Sequence, residues 1–457
     1  MRIIICGAGR VGFGIARRLS VENNDVTVVD QSKDLIRSIA DRLDVRGVVG
    51  NGSYPEVLAD AGAREADMII AVTYSDEVNM IACQIAHTLF NVPTKIARIR
   101  AAGYLDPSYS DLFGRHHMPI DVIISPEREV SEAIMQRMAT PGAFETKSFV
   151  DGAVWAVGVK LNEDCPILNS PLRQVASLFP DLKITIVLIT RGERIWRAHA
   201  DDQLEAGDEI HFIADRNDVG RALEIMGKGE RQARRVIIVG GGNIGLYVAG
   251  GLEKLGSMKI RLIERDRARA EMIASELDRT IVLQGDGLDR ALLREAGVED
   301  AETVVAVTNN DQVNILASVV AKREGARRAM ALINDSDYGA ISEAVGVDRF
   351  VDPRATTIST ILQHIRRGRI KGLYTVSDGA AELIDAIALE TSPLVNKPLA
   401  EADLPEGVMI GAVYRNGKVS MPNSQTIVKP GDRIVLMALK DYVKDVEQMF
   451  RVSIDYF

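Results

Sequence analysis

The chain has 457 residues, 46% of them apolar and 26% charged, an ordinary balance for a soluble globular protein. A prior of about 150 residues per domain suggests three domains, and a formal net charge of −9 lacks the basic footprint of a nucleic-acid binder. The three cysteines, Cys6, Cys83 and Cys165, are too few and too scattered for a disulfide framework or a zinc site. They read as buried small hydrophobes in a reducing cytoplasm.

An apolar strand at Arg2–Cys6 runs straight into Gly7-Ala8-Gly9-Arg10-Val11-Gly12, so no signal peptide is expected in this stretch. Val11, Ile15 and Leu19 make a helical stripe, Val26–Val29 a second strand ended by Asp30, and Asp34–Leu43 a helix before a short strand at Val48–Val49. Met68–Val72, Ile96–Ile99 and Val122–Ile124 add three strands, with a long helix over Asp76–Phe90. Six strands alternating with helices predict a doubly wound parallel sheet of the Rossmann type. The helix stripe Val130, Ile134 and Met138 follows. The texture then turns to short strands with turn signals at Val154–Leu161, Ile184–Ile189 and Glu209–Ala214.

After a glycine- and charge-rich connector, Gly227-Lys228-Gly229-Glu230-Arg231, the programme starts again. Gly240-Gly241-Gly242-Asn243-Ile244-Gly245 repeats the first cassette, and Glu264 stands where Asp30 stood. Gly50-Asn51-Gly52 returns as Gly285-Asp286-Gly287, and Ala71-Val72-Thr73 as Ala306-Val307-Thr308. Asp76 and Asn79 match Asp311 and Asn314. Strands are expected at Val236–Val239, Ile260–Ile263, Ile281–Leu283, Val304–Val307, Met330–Ile333 and Arg349–Val351, then a helix stripe at Ile358, Ile361, Leu362 and Ile365. Ala386–Glu390, Met409–Tyr414 and Arg433–Ala438 answer the first set of short strands. Ser170-Pro171-Leu172 and Ala206-Gly207-Asp208 find partners in Lys397-Pro398-Leu399 and Pro430-Gly431-Asp432.

The chain is therefore a tandem duplication of an α/β nucleotide-binding unit, each copy followed by a small α+β domain. The expected boundaries are 1–140, 141–228, 234–367 and 368–457. The uncharged run Val236–Leu252 holds six glycines and reads as strand, turn and helix start rather than a membrane span. The apolar stripes after the two sheets predict surplus surface buried between modules or subunits, hence a homo-oligomer, a tetramer carrying eight modules.

The glycines have mechanical work. Gly7 permits the tight turn, Gly9 admits a pyrophosphate to the backbone, and Gly12 lets helix and strand pack closely; Gly240, Gly242 and Gly245 repeat the set. Alternatively, they only shape strand–helix corners. Arg10, Val11, Asn243 and Ile244 open helices whose free N–H groups face the anion. Asp30 and Glu264 can accept hydrogen bonds from ribose hydroxyls and repel a 2′-phosphate, which favours NAD(H) over NADP(H). Asn51 with Gly52, and Asp286 in the second copy, can meet adenine or its ribose. Thr73 and Thr308 either bond the ligand or cap the next helix. Arg98 and Arg100 suit phosphate, whereas Leu332 and Asn334 hold the matching positions of the second copy. That loss of charge predicts stronger dinucleotide binding in the first module.

No catalytic constellation and no metal-ligand set joins these residues. His116-His117 read as surface or interface residues, and Arg366-Arg367-Gly368-Arg369-Ile370-Lys371 as a solvated connector. Tyr414-Arg415-Asn416-Gly417-Lys418 copies the Tyr-x-x-x-Lys spacing of short-chain dehydrogenases, but Asn-Gly signals a hairpin turn there. Thr190–Arg194, its match in the first copy, lacks both residues.

The opening Met1–Gly12, the Gly-Asn-Gly and Ala-Val-Thr segments, Lys95–Arg100 and Ser125-Pro126-Glu127 resemble the TrkA family. Its members are the cytosolic NAD-binding subunits of bacterial Trk potassium uptake systems, built from tandem RCK modules. The resemblance covers nearly the whole chain. It implies regulation rather than catalysis: a ring docked on the cytoplasmic face of an integral-membrane Trk transporter subunit, peripherally attached to the membrane. It also implies NAD(H) as ligand, with ATP or ADP at the same or the second site. The alternatives are an NAD-dependent oxidoreductase with unrecognised catalytic residues and a free-standing cytosolic nucleotide sensor.

Overall fold

The computed structural model describes residues 1–450 except 22–23, 115–116, 230–232, 257, 336–337, 339–343 and 366–369. His116, most of the basic cluster at 366–371, and Glu230 and Arg231 of the connector lie outside the described residues. Among the described residues no helix is long and apolar enough to cross a membrane.

The first sheet contains β1 (Arg2–Cys6), β2 (Asp25–Asp30), β3 (Arg46–Val49), β4 (Met68–Ala71), β5 (Thr94–Arg98) and β6 (Val122–Ile124). All pairs are parallel, in the order β3-β2-β1-β4-β5-β6. Ile3–Cys6 and Met68–Ala71 are buried on both faces, as central strands covered by helices on two sides must be. The order reverses between β1 and β4, and the crevice beyond their C-terminal ends is where this architecture takes ligands.

A small antiparallel sheet follows: β7 (Glu145–Phe149), β8 (Val154–Lys160), β9 (Ile184–Arg191), β10 (Arg194–Arg197) and β11 (Glu209–Asp215), ordered β10-β9-β11-β8-β7. The second copy repeats both. β12 (Arg235–Val239), β13 (Lys259–Glu264), β14 (Ile281–Gln284), β15 (Thr303–Ala306), β16 (Ala329–Leu332) and β17 (Arg349–Val351) form β14-β13-β12-β15-β16-β17. β18 (Ile370–Val376), β19 (Ala381–Ile387), β20 (Val408–Arg415), β21 (Lys418–Ser420) and β22 (Arg433–Leu439) form β18-β19-β22-β20-β21.

Like pairs with like. One compact unit comprises Met1–Glu132, Ile237–Asp300 and Val304–Leu362, with both parallel sheets; the other comprises Ala133–Val236, Ala301–Thr303 and Gln363–Phe457, with both antiparallel ones. In the second unit, Val187, Leu188 and Ile213 share a buried cluster with Leu383, Val435 and Met437. A Cβ at Gly411 would sit 2.2 Å from Ile213 Cδ1, so the two sheets need glycine there. In the first unit, helix Arg10–Val21 crosses helix Pro353–Ile365 so closely that a Cβ at Gly14 would lie 2.3 Å from Ile358 Cδ1. Reciprocally, the helix starting at Pro126 meets helix Asn243–Lys254: Ser131 Oγ donates to the Ile244 carbonyl at 3.3 Å, and the Arg128 guanidinium lies 5.6 Å from the Tyr247 ring centroid. Each module thus lends its last helix to the other's first, the arrangement of an internal two-fold.

One expectation holds, one needs correction, and one set of strands was not foreseen. Val130, Ile134 and Met138 are buried within the chain, as are Ile361 and Ile365, and Ile358 packs at Gly14 of the other module, in line with the expected burial of the stripes between modules. The strand expected at Ala386–Glu390 is Ala381–Ile387 instead, because Glu382 and Asp385 are buried acids that break the apolar pattern. Asp385 is held there by the Arg433 guanidinium and the Val150 N–H at 3.2 Å. The edge strands β7, β10, β18 and β21 were not legible as alternating apolar runs, since β7 reads Glu-Thr-Lys-Ser-Phe and β10 Arg-Ile-Trp-Arg. The Tyr-x-x-x-Lys spacing is indeed a hairpin: Asn416 and Gly417 have φ of 51° and 80°, as a two-residue turn between β20 and β21 requires.

Candidate functional site

Each glycine of the cassettes meets its own geometric demand. Gly7 and Gly240 have φ of +114° and +108°, in the left-handed region. A Cβ at Gly12 would lie 1.8 Å from the Gly7 carbonyl oxygen, and one at Gly245 2.0 Å from that of Gly240. Gly9 and Gly242 differ in kind: a Cβ there would meet nothing within 4 Å. Their missing side chains leave room above the loop, not within the fold. Gly242 caps helix Asn243–Lys254 without a side-chain hydrogen bond, so the helix start keeps donors for an anion. Gly52 and Gly287 belong to the fold, because a Cβ would crowd Cys6 Sγ at 2.9 Å and Val239 Cγ1 at 2.2 Å.

The acids after β2 and β13 clasp these loops. Asp30 accepts from the Ala8 N–H at 2.7 Å and the Ser32 N–H at 2.8 Å. Glu264 accepts from Gly241 and Asp266 at the same two distances. Each oxygen keeps lone pairs for a ribose hydroxyl. Asn51 Oδ1 and Asp286 Oδ1 turn back on Ser53 and Leu288 N–H groups at 3.0 and 2.9 Å, local turns that shape the loop after the third strand of each sheet.

The Thr-x-x-Asp-x-x-Asn motif ties the rims of β4 and β5 together. Asn79 is fully buried and accepts from the Thr73 N–H at 2.8 Å and the Thr73 hydroxyl at 2.7 Å; its amide donates to the Arg98 carbonyl at 2.9 Å. Asn314 makes the same bonds to Thr308 and to the Leu332 carbonyl. Asp76 receives the Arg100 and Ala101 N–H groups, and Asp311 those of Asn334 and Asp335. The helix caps are Ser75 and Asn310, so Thr73 and Thr308 do not have that role. Sequence reasoning marked Asp76 and Asn79 as landmarks but missed why they recur: they satisfy main-chain groups.

The cations are where the two modules meet. A cavity of about 840 Å³ has one wall from Arg10, Val11, Arg98, Arg100 and Glu127, and the other from Gly242, Asn243, Ile244, Thr308, Asn334 and Arg354. Asp30, Asn51, Glu264 and Asp286 lie outside this lining. Arg98 donates to the Thr73 carbonyl at 2.7 Å while its Nε is buried without a hydrogen-bond partner among the described residues. Burial, with Arg100 beside it, pulls the Arg98 guanidinium below its ordinary pKa. Arg100 Nε is 2.9 Å from Glu127 Oε1, and Glu127 Oε2 and Arg354 Nη2 are also buried with no hydrogen-bond partner among the described residues. Leu332 and Asn334 therefore do not leave the second loop without positive charge, because the first module's arginines face it. The one signal in the sequence was Glu127 standing where the second copy has Arg354, a charge reversal between the two walls of the cavity.

Residues 3–126 and 236–353 match the TrkA-N domain, and 156–227 and 383–451 the TrkA-C domain. The Trk system potassium uptake protein TrkA of Azorhizobium caulinodans is 53% identical over 458 residues, covering 100% of both chains. The chain belongs to the TrkA family. As a TrkA protein it is a potassium-uptake component and not an enzyme. Two solved structures share the fold. The GsuK RCK domain has a TM-score of 0.59 at 18% identity, covering 98% of this chain and 94% of that one. The GsuK channel bound to NAD has a TM-score of 0.60 at 18% identity, covering 98% and 78%.

Proposed function

We propose that this TrkA protein is the nucleotide-sensing regulatory subunit that gates an integral-membrane Trk potassium transporter, with NAD(H) as a signal. The observation that carries the reading is the shared cavity: one ligand-sized space bounded by the glycine loop of one module and the arginines of the other. A ligand that touches both walls binds one arrangement of the modules better than another, which is the requirement for shifting a conformational balance. Moving that balance from 1:99 to 99:1 takes about 5.5 kcal/mol of differential binding, a load that several sites in a ring can share. Four chains would supply eight modules. The NAD bound to the GsuK channel, a protein of the same fold, supports a dinucleotide at the glycine loops, and ATP or ADP would use the same phosphate donors.

The test is Gly9→Asp, which places an anion above the first loop where the fold leaves open space. Cells carrying only that variant should grow differently at low external potassium, while the protein still co-purifies with its transporter from detergent-solubilised membranes. Normal potassium uptake with proven loss of NAD(H) binding would sink the regulatory reading of this module.

A further inference from the structure

The adenosine-side rims of the two glycine loops carry different chemistry. In the first module Asp30 is followed by Gln31, and helix Lys33–Ala40 presents Leu35, 42% exposed, at the rim. Aligning Glu264 on Asp30, the second module has Arg265 and Arg269 at those two positions. Arg269 reaches back over the loop: its Nε donates to the Gly241 carbonyl at 2.8 Å, and its Nη2 lies 3.4 Å from Asn243 Oδ1. Arg265 is exposed immediately beyond Glu264.

We propose that Arg265 and Arg269 make the second module a site for an adenine dinucleotide bearing a 2′-phosphate, NADP(H), beside the NAD(H) site of the first. The proposal rests on the nucleotide-sensing reading above and departs from the expectation that both acids select NAD(H). The end of the second strand is where a dinucleotide fold meets the ribose hydroxyls, and an arginine there accommodates a 2′-phosphate. Glu264 does not decide against it. Its two oxygens accept from the Gly241 and Asp266 N–H groups, as those of Asp30 accept from Ala8 and Ser32. The acid is needed to hold the loop whatever the ligand, so ribose selectivity falls to its neighbours. Asp266 and Asp286, where the first module has Ser32 and Asn51, each commit an oxygen to main-chain N–H groups, Asp266 to Arg269 and Asp286 to Leu288. The planar fork of a guanidinium suits a phosphate dianion and stacks on adenine.

The test uses the full chain with Gly9→Asp, which removes the first site, titrated calorimetrically with NADPH and NADH. One equivalent of NADPH per chain should bind at least tenfold more tightly than NADH. Adding Arg265→Gln with Arg269→Leu, the residues of the first module, should weaken NADPH tenfold or more and change NADH less than threefold. Conversely, Gln31→Arg with Leu35→Arg in a Gly242→Asp chain should create NADPH binding at the first module. Equal or tighter NADH binding by the Gly9→Asp chain would overturn the proposal. So would binding of neither dinucleotide by that chain while the unaltered protein binds NADH. An unaltered protein that binds no dinucleotide would sink the nucleotide-sensing reading itself.

Discussion

The two parallel sheets repeat each other strand for strand, yet the ion pair beneath their far edges is built from different residues. In the first module Lys95, on β5 and almost fully buried, reaches Asp121 at 2.8 Å. In the second, Lys322 comes from helix Asp311–Arg323 to meet Asp348 at 3.0 Å. In both cases the aspartate also accepts a main-chain N–H of the neighbouring strand, from Lys95 or Ala329, at 2.7 Å. The acid is fixed by the backbone it satisfies, and the cation is free to move. The same division runs through the whole unit. Asp30, Asp76 and Asn79 have faithful counterparts, whereas Leu35, Arg98, Arg100 and Glu127 become Arg269, Leu332, Asn334 and Arg354. Duplication preserves the groups that close the fold and lets the charges around the loops and the cavity diverge.

The equivalence of the two scaffolds is most exposed at the buried asparagines. Asn79→Ala strands the Thr73 N–H and the Arg98 carbonyl, and Asn314→Ala the corresponding pair, so each should cost about 3 kcal/mol in urea unfolding. A variant that is costly in one module and neutral in the other would break the comparison. The lysines should separate the modules instead. Lys95→Met removes a buried partner and should cost about 2 kcal/mol, whereas Lys322→Met breaks a half-exposed pair worth under about 1 kcal/mol; chemical denaturation of the two variants side by side gives the order.

Ligand binding sharpens the contrast further. Asp30→Ala removes a charged acceptor worth about 1.5–3 kcal/mol, so NAD(H) affinity should fall roughly ten- to a hundredfold by calorimetry. Equal NADH affinity in variant and unaltered protein would refute the assignment. The smallest effect is expected on stability at the open glycines. Gly9→Ala and Gly242→Ala should leave the melting curve within about 0.5 kcal/mol of the unaltered protein, because a Cβ there meets nothing. Gly12→Ala and Gly245→Ala, which would collide with a carbonyl oxygen, should fail that test by about 3 kcal/mol.

The duplication, both doubly wound sheets, the glycine loops and the positions of Asp30 and Glu264 were legible in the sequence, although the hold of those acids on the loops was not. Each is enforced locally: an apolar strand, a glycine that must adopt φ > 0, a carboxylate one strand away from the N–H groups it holds. The polar edge strands of the small domains and the strand carrying Glu382 and Asp385 were not, since their side chains are paired by residues distant in the chain, such as Arg433. The turning of Arg98 and Arg100 toward the loop at Gly242 was likewise beyond a residue-by-residue reading. A sequence carries the periodicity that makes a surface apolar or charged. Which partner covers that surface depends on helices such as Arg10–Val21 and Pro353–Ile365 crossing at Gly14, and that contact exists only once both modules have folded and met.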